Sequence, residues 1–254
     1  MDLNWLTKTP IAHRGLHNEN APENSLSAFK NAIDNGYNIE LDVQVTKDKK
    51  LIVFHDYTLK RIFNIKKHVK NCTLSELKEL KFPNTNESIP TYQEVLDLVN
   101  SKTGILCEIK GLNLKDNSIE EVANIETKQY TGNVAFHSFN FGAVKYLKQH
   151  SDKSCGQLIT WQFGKLEKFF LMNYFGKLKV INNSNPDFIS YDVRALNPKY
   201  RATKYLKEYV DKLPILLWTI NNESKVSIAE DFKANIIFEK LPLDIVEKFK
   251  AKQN

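Results

Sequence analysis

The chain has 254 residues, enough for one large domain or two small ones and for a substantial apolar core. Hydrophobic residues at 42%, charged residues at 26%, 9 Gly and 8 Pro exclude a disordered, collagen-like or low-complexity chain. Thirty-six Lys and Arg against 30 Asp and Glu give a formal charge of +6, a mild bias towards anionic partners. The lysines are spread along helical segments (Lys145, Lys148, Lys204, Lys207, Lys248, Lys250). No Arg/Lys patch interleaved with stacking aromatics argues for nucleic acid. Cys72, Cys107 and Cys155 are too few for a disulfide framework or a thiolate metal site, which fits a reducing compartment. The stretch Met1 to Pro10 has no secretion-signal pattern, and no run reaches the roughly 18 apolar residues of a membrane span. The expectation is a cytoplasmic protein without stable membrane insertion.

Read in chain order, apolar β-branched runs alternate with longer segments of helical period. The first strand falls at Pro10–Gly15 and is followed by a helix at Asn24–Asp34. The second strand, Ile39–Val45, leads through the turn-like Lys47-Asp48-Lys49-Lys50 into another strand-like run, Leu51–Asp56. That run opens an irregular stretch, residues 51 to 90, with a short helix at Leu74–Leu80; it reads as a hairpin and small cap inserted beside the second strand. The alternation then resumes with a helix at Thr91–Asn100, a strand at Gly104–Lys110, a helix at Ser118–Tyr130 and a strand at Asn133–Phe139. Next come a helix at Phe141–His150, a strand at Ser154–Ile159, a helix at Lys165–Phe175 and a strand at Asp187–Val193. The chain closes with a helix at Asn197–Lys212, a strand at Pro214–Ile220, a helix at Ser224–Phe232, a strand at Ala234–Glu239 and a helix at Pro242–Lys252. Crossovers of this length make neighbouring strands parallel. Eight βα units in one chain of this size match an α/β (β/α)8 TIM barrel better than an open doubly wound sheet, with residues 1–254 forming a single domain.

The period of two places Glu40 and Asp42 on one face of the second strand, with Ile39, Leu41 and Val43 opposite. In the next strand Glu108 and Lys110 share one face, against Ile105, Cys107 and Ile109. A barrel turns the apolar faces outward onto its helices and collects the three acids at the strand ends, where barrel active sites lie. Two readings stand for the acids. They hold one hard divalent cation, Mg2+ or Ca2+, through oxygen, or they pair with Lys110 and Arg14 and bind nothing. His13 and His55 each close an apolar run beside these acids, and two imidazoles flanking a reacting group supply one base and one acid near neutral pH. Arg14 and Lys110 add positive charge suited to a phosphate, or else neutralise neighbouring carboxylates. Trp218, near the end of the seventh strand, is placed to contact an alcohol or sugar portion of a substrate. His137 has no partner legible in the sequence. No P-loop, GxGxxG or GxSxG is present, which leaves nucleotide-dependent phosphotransfer and serine-hydrolase chemistry without support.

The ordered set His13-Arg14-Gly15, Ala21-Pro22-Glu23-Asn24-Ser25, Ile39 to Asp48, Leu51 to Asp56, Cys107-Glu108-Ile109-Lys110, Ser138-Phe139 and Trp218-Thr219-Ile220-Asn221 resembles the glycerophosphodiester phosphodiesterase family. The resemblance implies a (β/α)8 barrel with a small insertion after the second strand, and metal-dependent hydrolysis of a small glycerophosphodiester to glycerol 3-phosphate and an alcohol. It implies Glu40, Asp42 and Glu108 as cation ligands, His13 and His55 as proton carriers, and Arg14 and Lys110 on the phosphate. Related readings are a barrel phosphodiesterase acting on lysophospholipid or sphingolipid headgroups, and a catalytically silent barrel that only binds a phosphate ester. Two positions depart from the family pattern. Ser25 stands where Thr is common, and the last strand runs into Glu239 where the family usually ends in Thr-Asp, a longer-reaching acid.

Overall fold

In the computed structural model of the protein, residues 2–111, 116–160, 179–196 and 201–253 are described. The chain enters through a short helix, α1 (Asn4–Lys8), and a two-residue strand, β1 (Ile11–Ala12). Then follow α2 (Leu26–Asp34), β2 (Asn38–Val45) and β3 (Leu51–Val53), with α3 (Lys60–Phe63) and α4 (Leu74–Glu79) in the inserted stretch. Beyond it lie α5 (Tyr92–Val99), β4 (Ile105–Ile109), α6 (Ser118–Thr127), β5 (Val134–Ser138), α7 (Phe141–His150) and β6 (Ser154–Ile159). The last part contains α8 (Lys179–Ser184), β7 (Phe188–Asp192), α9 (Arg201–Lys207), β8 (Ile215–Ile220), α10 (Glu223–Asp231), β9 (Asn235–Phe238) and α11 (Leu243–Gln253).

Eight strands pair in parallel in the order β1-β2-β4-β5-β6-β7-β8-β9, and β9 returns to β1, so the sheet closes into a TIM barrel. β3 stands outside the ring, antiparallel to β2, with Val43 opposite Val53. The alternation expected from the sequence sets the faces. Ile39, Leu41, Val43, Ile105, Cys107 and Ile109 turn outward into the core shared with the helices, while Glu40, Asp42 and Glu108 turn inward. The barrel interior is filled by Ile11, Leu106, Ala135, Phe188, Leu216 and Ile237, together with Leu6 of α1. Each such buried Leu or Phe side chain contributes about 1.5–3 kcal/mol. Helix α1, which the sequence did not announce, is held to the barrel, at the end where β2 and β9 begin, by two inward amides. Asn38 donates to the Trp5 carbonyl at 2.7 Å, and Asn235 donates to those of Leu6 and Thr9 at 2.8 and 2.7 Å.

The inserted stretch carries a second small apolar core of Ile52, Phe54, Leu59, Val69, Cys72, Leu77, Phe82 and Ile89. A capping box starts α4, where Thr73 accepts from the Glu76 N–H and Glu76 accepts from the Thr73 N–H; Thr91 and Glu94 do the same for α5.

Several expected boundaries move, each for a local reason. The strand read at Pro10–Gly15 pairs only over Ile11–Ala12, because Arg14 and Gly15 take φ of 57° and 80° and turn the chain. The Leu51–Asp56 run is strand only to Val53. The helix read from Asn24 begins at Leu26 because Ser25 caps it, its hydroxyl accepting from the Ala28 N–H at 3.2 Å. The helix read over Ser118–Tyr130 ends at Thr127, and α3 and α8 had not been expected. The helix read at Lys165–Phe175 and the first residues of the one read at Asn197–Lys212 lie outside the described residues. Among the described residues no helix is long and apolar enough to cross a membrane.

Candidate active site

A cavity of about 310 Å³ opens at the C-terminal mouth of the barrel, where its wall includes His13, Arg14, Glu40, His55, Glu108 and His137. The turn after β1 builds one side. Gly15 is required there, since its φ is +80° and a Cβ would lie 2.8 Å from the backbone carbon of Ala28 in α2. The turn aims the Arg14 N–H at Glu40 Oε2, 3.0 Å away, and sets His13 Nδ1 2.8 Å from Glu239 Oε2, just beyond β9. Burial pushes the His13 pKa down, but the Glu239 hydrogen bond and the nearby Glu40 outweigh it, and the net direction is up. Glu239 is correspondingly pulled down to about 2, chiefly by its bond to His13.

His55 sits in the loop after β3 and carries the same device. Its Nδ1 lies 2.7 Å from Asp56 Oδ1. Arg61 clamps Asp56 with two N–H groups, at 2.7 and 3.0 Å, and reaches Glu23 with two more, at 2.9 and 2.7 Å. Glu23 also accepts from Arg14 at 2.8 Å, so a continuous chain of charges joins the inserted hairpin to the turn after β1. With a carboxylate on each Nδ1, each imidazole directs its Nε2 away from that partner, and both rings line the same cavity.

The acids divide into two groups. Ligand atoms of Glu40, Glu108 and His137 lie within 4.8 Å of one another, all three residues being buried. Asp42 is engaged otherwise. It accepts from the Asn24 amide at 2.9 Å and lies 3.6 Å from Arg14 Nε and 3.4 Å from Lys110 Nζ. Burial opposes its ionisation, yet Lys110, His55, Arg14 and the Asn24 bond hold its pKa well below the usual carboxylate range. Glu108 is paired with Lys110 at 2.8 Å, but burial, together with the Asp42 and Glu40 charges, pushes its pKa up. Four buried polar atoms at or beside the cavity, Arg14 Nε, Asp42 Oδ1, His137 Nε2 and Trp218 Nε1, have no hydrogen-bond partner. Crowded, incompletely neutralised carboxylates with an unpartnered imidazole nitrogen beside them are a donor set that fits a divalent cation.

A sequence profile of the glycerophosphoryl diester phosphodiesterase family matches residues 13–239, the span that runs from His13 to Glu239. The chain belongs to that family. Membership makes it an enzyme, a phosphoric diester hydrolase. Among related sequences, a glycerophosphodiester phosphodiesterase of Caldanaerobacter subterraneus is 35% identical over 183 residues, covering 65% of this chain and 75% of that one. Glycerophosphodiester phosphodiesterase 1 of Bos taurus is 24% identical over 247 residues, covering 87% and 74%. The crystal structure of a glycerophosphodiester phosphodiesterase from Thermotoga maritima superposes with a TM-score of 0.74 at 26% identity, covering 97% of this chain and 98% of that one.

Of the residues singled out in the sequence, His13, Arg14, Glu40, His55, Glu108 and Trp218 line this cavity. Asp42 and Lys110 are not among its lining residues; they stand next to it, Asp42 3.6 Å from Arg14 and Lys110 bonded to Glu108, and Lys110 opens instead onto a neighbouring groove. The pairing of acids with Arg14 and Lys110, the alternative to cation binding, therefore describes Asp42 better than Glu40. Sequence reasoning left His137 unassigned. The available signal was register, because His137 shares the inward face of β5 with Ala135 and pairs directly with Glu108. Phe139, Leu158, Thr160 and Arg194 also line the cavity. Arg194 lies on the turn after β7, pinned by the fully buried Asp192 through bonds of 2.9 and 2.7 Å, and nothing local in the sequence marks it.

Proposed function

We propose that this chain hydrolyses soluble glycerophosphodiesters to glycerol 3-phosphate and an alcohol, with a divalent cation, Mg2+ or Ca2+, and two histidines. The observation that carries the reading is that two imidazoles, each with a carboxylate on Nδ1, share one cavity with the Glu40–Glu108–His137 cluster. Glu40 and Glu108 would hold the cation, with Asp42 and His137 completing its surroundings. The cation would polarise a nonbridging phosphate oxygen and absorb charge as it develops. Arg14 and Lys110 stand beside the carboxylates to share the phosphate's negative charge. His13 accepts the proton of the nucleophile, water or the neighbouring glycerol hydroxyl, and Glu239 stabilises the imidazolium that forms. His55, oriented by Asp56, donates to the departing alkoxide. Phe139, Leu158 and Trp218 give the cavity an apolar flank for the glycerol carbons, and the buried, unpartnered Trp218 indole N–H supplies a donor for a substrate oxygen.

Cys72, Cys107 and Cys155 are all free thiols, which supports a reducing, cytoplasmic setting. The test is release of glycerol 3-phosphate from a panel of glycerophosphodiesters by the purified protein, before chelation, after it, and after restoring Mg2+ or Ca2+. Activity lost to chelator and restored by one of these ions is expected. Turnover that ignores chelation would defeat the cation's part, and no turnover with any diester would defeat the reading itself.

A further inference from the structure

Beside the catalytic cavity lies a larger groove of about 650 Å³, whose walls include Lys47, Lys49, Lys70, Lys110, Tyr57 and Asp116. Four lysines thus line the groove with one carboxylate, and of the four Lys110 is already paired with Glu108. Asp116 accepts from the Ser118 N–H at 3.1 Å and feels Lys49, whereas Lys47 and Lys70 form no ion pair among the described residues. These two lysines are not carried on loose ends. The Lys47 N–H donates to the Cys72 carbonyl at 2.8 Å, and the Leu74 N–H donates to Asp48 Oδ1 at 3.0 Å, so the hairpin turn is tied to the segment that bears Lys70.

The groove and the catalytic cavity are lined by different residues, but two of these residues stand side by side. Lys110 lines the groove while its Nζ lies 2.8 Å from Glu108, which lines the cavity. Tyr57, on the groove side, is two residues beyond His55, on the cavity side, and the Lys110 ammonium is 6.0 Å from its ring centroid. The His55 side of the cavity is thus the side nearest Tyr57 and the lysines of the groove. We propose that the groove binds an anionic group carried by the leaving alcohol, so that the favoured substrates are glycerophosphodiesters whose alcohol bears a second phosphoryl group. The inference rests on the phosphodiesterase reading above and adds the class of alcohol to it. A cationic alcohol meets repulsion in the same groove, and a neutral one gains nothing from the lysines.

The experiment compares kcat/KM for bis(glycerophospho)glycerol, whose leaving alcohol carries a second phosphodiester, with glycerophosphoglycerol and glycerophosphocholine, whose alcohols are neutral and cationic. It is run at low and high salt, in the wild type and in a Lys47→Glu/Lys70→Glu double variant whose folding is checked by thermal unfolding. Lys47→Ala/Lys70→Ala replaces it should charge reversal unfold the protein. The expected result is a preference of about tenfold or more for the doubly charged diester over glycerophosphoglycerol at low salt, collapsing towards unity in the double variant and shrinking with salt. A wild-type ratio near one, or a ratio that the double variant leaves untouched, overturns the inference while leaving the phosphodiesterase reading in place. Failure to cleave any of the three diesters removes that reading and the inference with it. Inhibition by inorganic phosphate, or binding to anionic vesicles, that depends on Lys47 and Lys70 while the substrate ratio stays at one would give the groove to a free anion or a lipid surface and also overturn it.

Discussion

Replacing Glu239 with Gln separates charge from shape at the His13 pair, because the amide keeps the length of the side chain and loses its charge. A carboxylate held from 4.5 down to about 2 corresponds to roughly 3 kcal/mol at 1.36 kcal/mol per pH unit. The side chain is 26% exposed, so solvent screening reduces this to about 1.5 kcal/mol, counted once for the pair. The sign follows from both partners. The lowered Glu239 contributes stability that is present above its unfolded value and lost as pH falls through about 2. The raised His13 contributes stability that is present below its ordinary value and lost as pH rises through its folded value. The pair is therefore worth most between about pH 4.5 and 6.5, and the variant should melt earlier there, with the gap closing at higher and lower pH. Kinetically, without Glu239 the burial of His13 dominates and its pKa falls. If His13 is the base, the acidic limb of kcat/KM moves to lower pH, while the plateau drops by about 10²-fold or more because the imidazolium loses its counter-charge and the amide N–H favours the wrong tautomer. Thermal unfolding and glycerol 3-phosphate release, each followed against pH, read both effects. A plateau within threefold of wild type and an unmoved limb would refute the role given to this pair.

Glu108→Gln should weaken divalent-cation affinity by about 10²-fold, since a charged oxygen donor becomes neutral in a buried cluster; calorimetric titration with Mg2+ or Ca2+ at unchanged affinity would remove Glu108 from the ligand set. Gly15→Ala should destabilise the fold by about 2 kcal/mol through its positive φ and the collision with α2, read as a lowered denaturation midpoint. An alanine variant as stable as wild type would show that the turn after β1 relaxes freely.

The barrel was legible because its strands write their faces plainly. Ile39-Glu40-Leu41-Asp42-Val43 alternates without a break, and the same alternation through Glu108 marks the inward side of β4. Boundaries were less legible where one residue's backbone decides them. Nothing in the apolar character of Pro10 to Gly15 says that Arg14 adopts a left-handed conformation and ends the strand three residues early. Helix α1 was missed for a different reason. It is too short to show a period, and its place in the fold depends on Asn38 and Asn235, which reach it from β2 and β9. Partners distant in sequence account for the gaps in the site as well. His13 and Glu239 are separated by 226 positions, and the sequence marked each without joining them. His137 could be read as inward by register, but its closeness to Glu40 and Glu108 depends on how the ring of strands is staggered.

The two histidines reach one cavity by different physical routes. His13 and Glu239 belong to the seam where the last strand returns to the first, so this pair comes into existence only when the barrel closes. His55 hangs on the hairpin outside the ring, and its bearing relative to the barrel is set by the Asp56–Arg61–Glu23–Arg14 chain. The Arg61 side chain is 46% exposed, and exposed ion pairs add about 0–1 kcal/mol to stability. Its fork nevertheless fixes two carboxylates in direction as well as distance, which a single ammonium in its place would not do. The inserted stretch thus does more than extend β2. It has its own apolar core, it carries His55, and through Arg61 and Glu23 it is tied to the turn that carries His13.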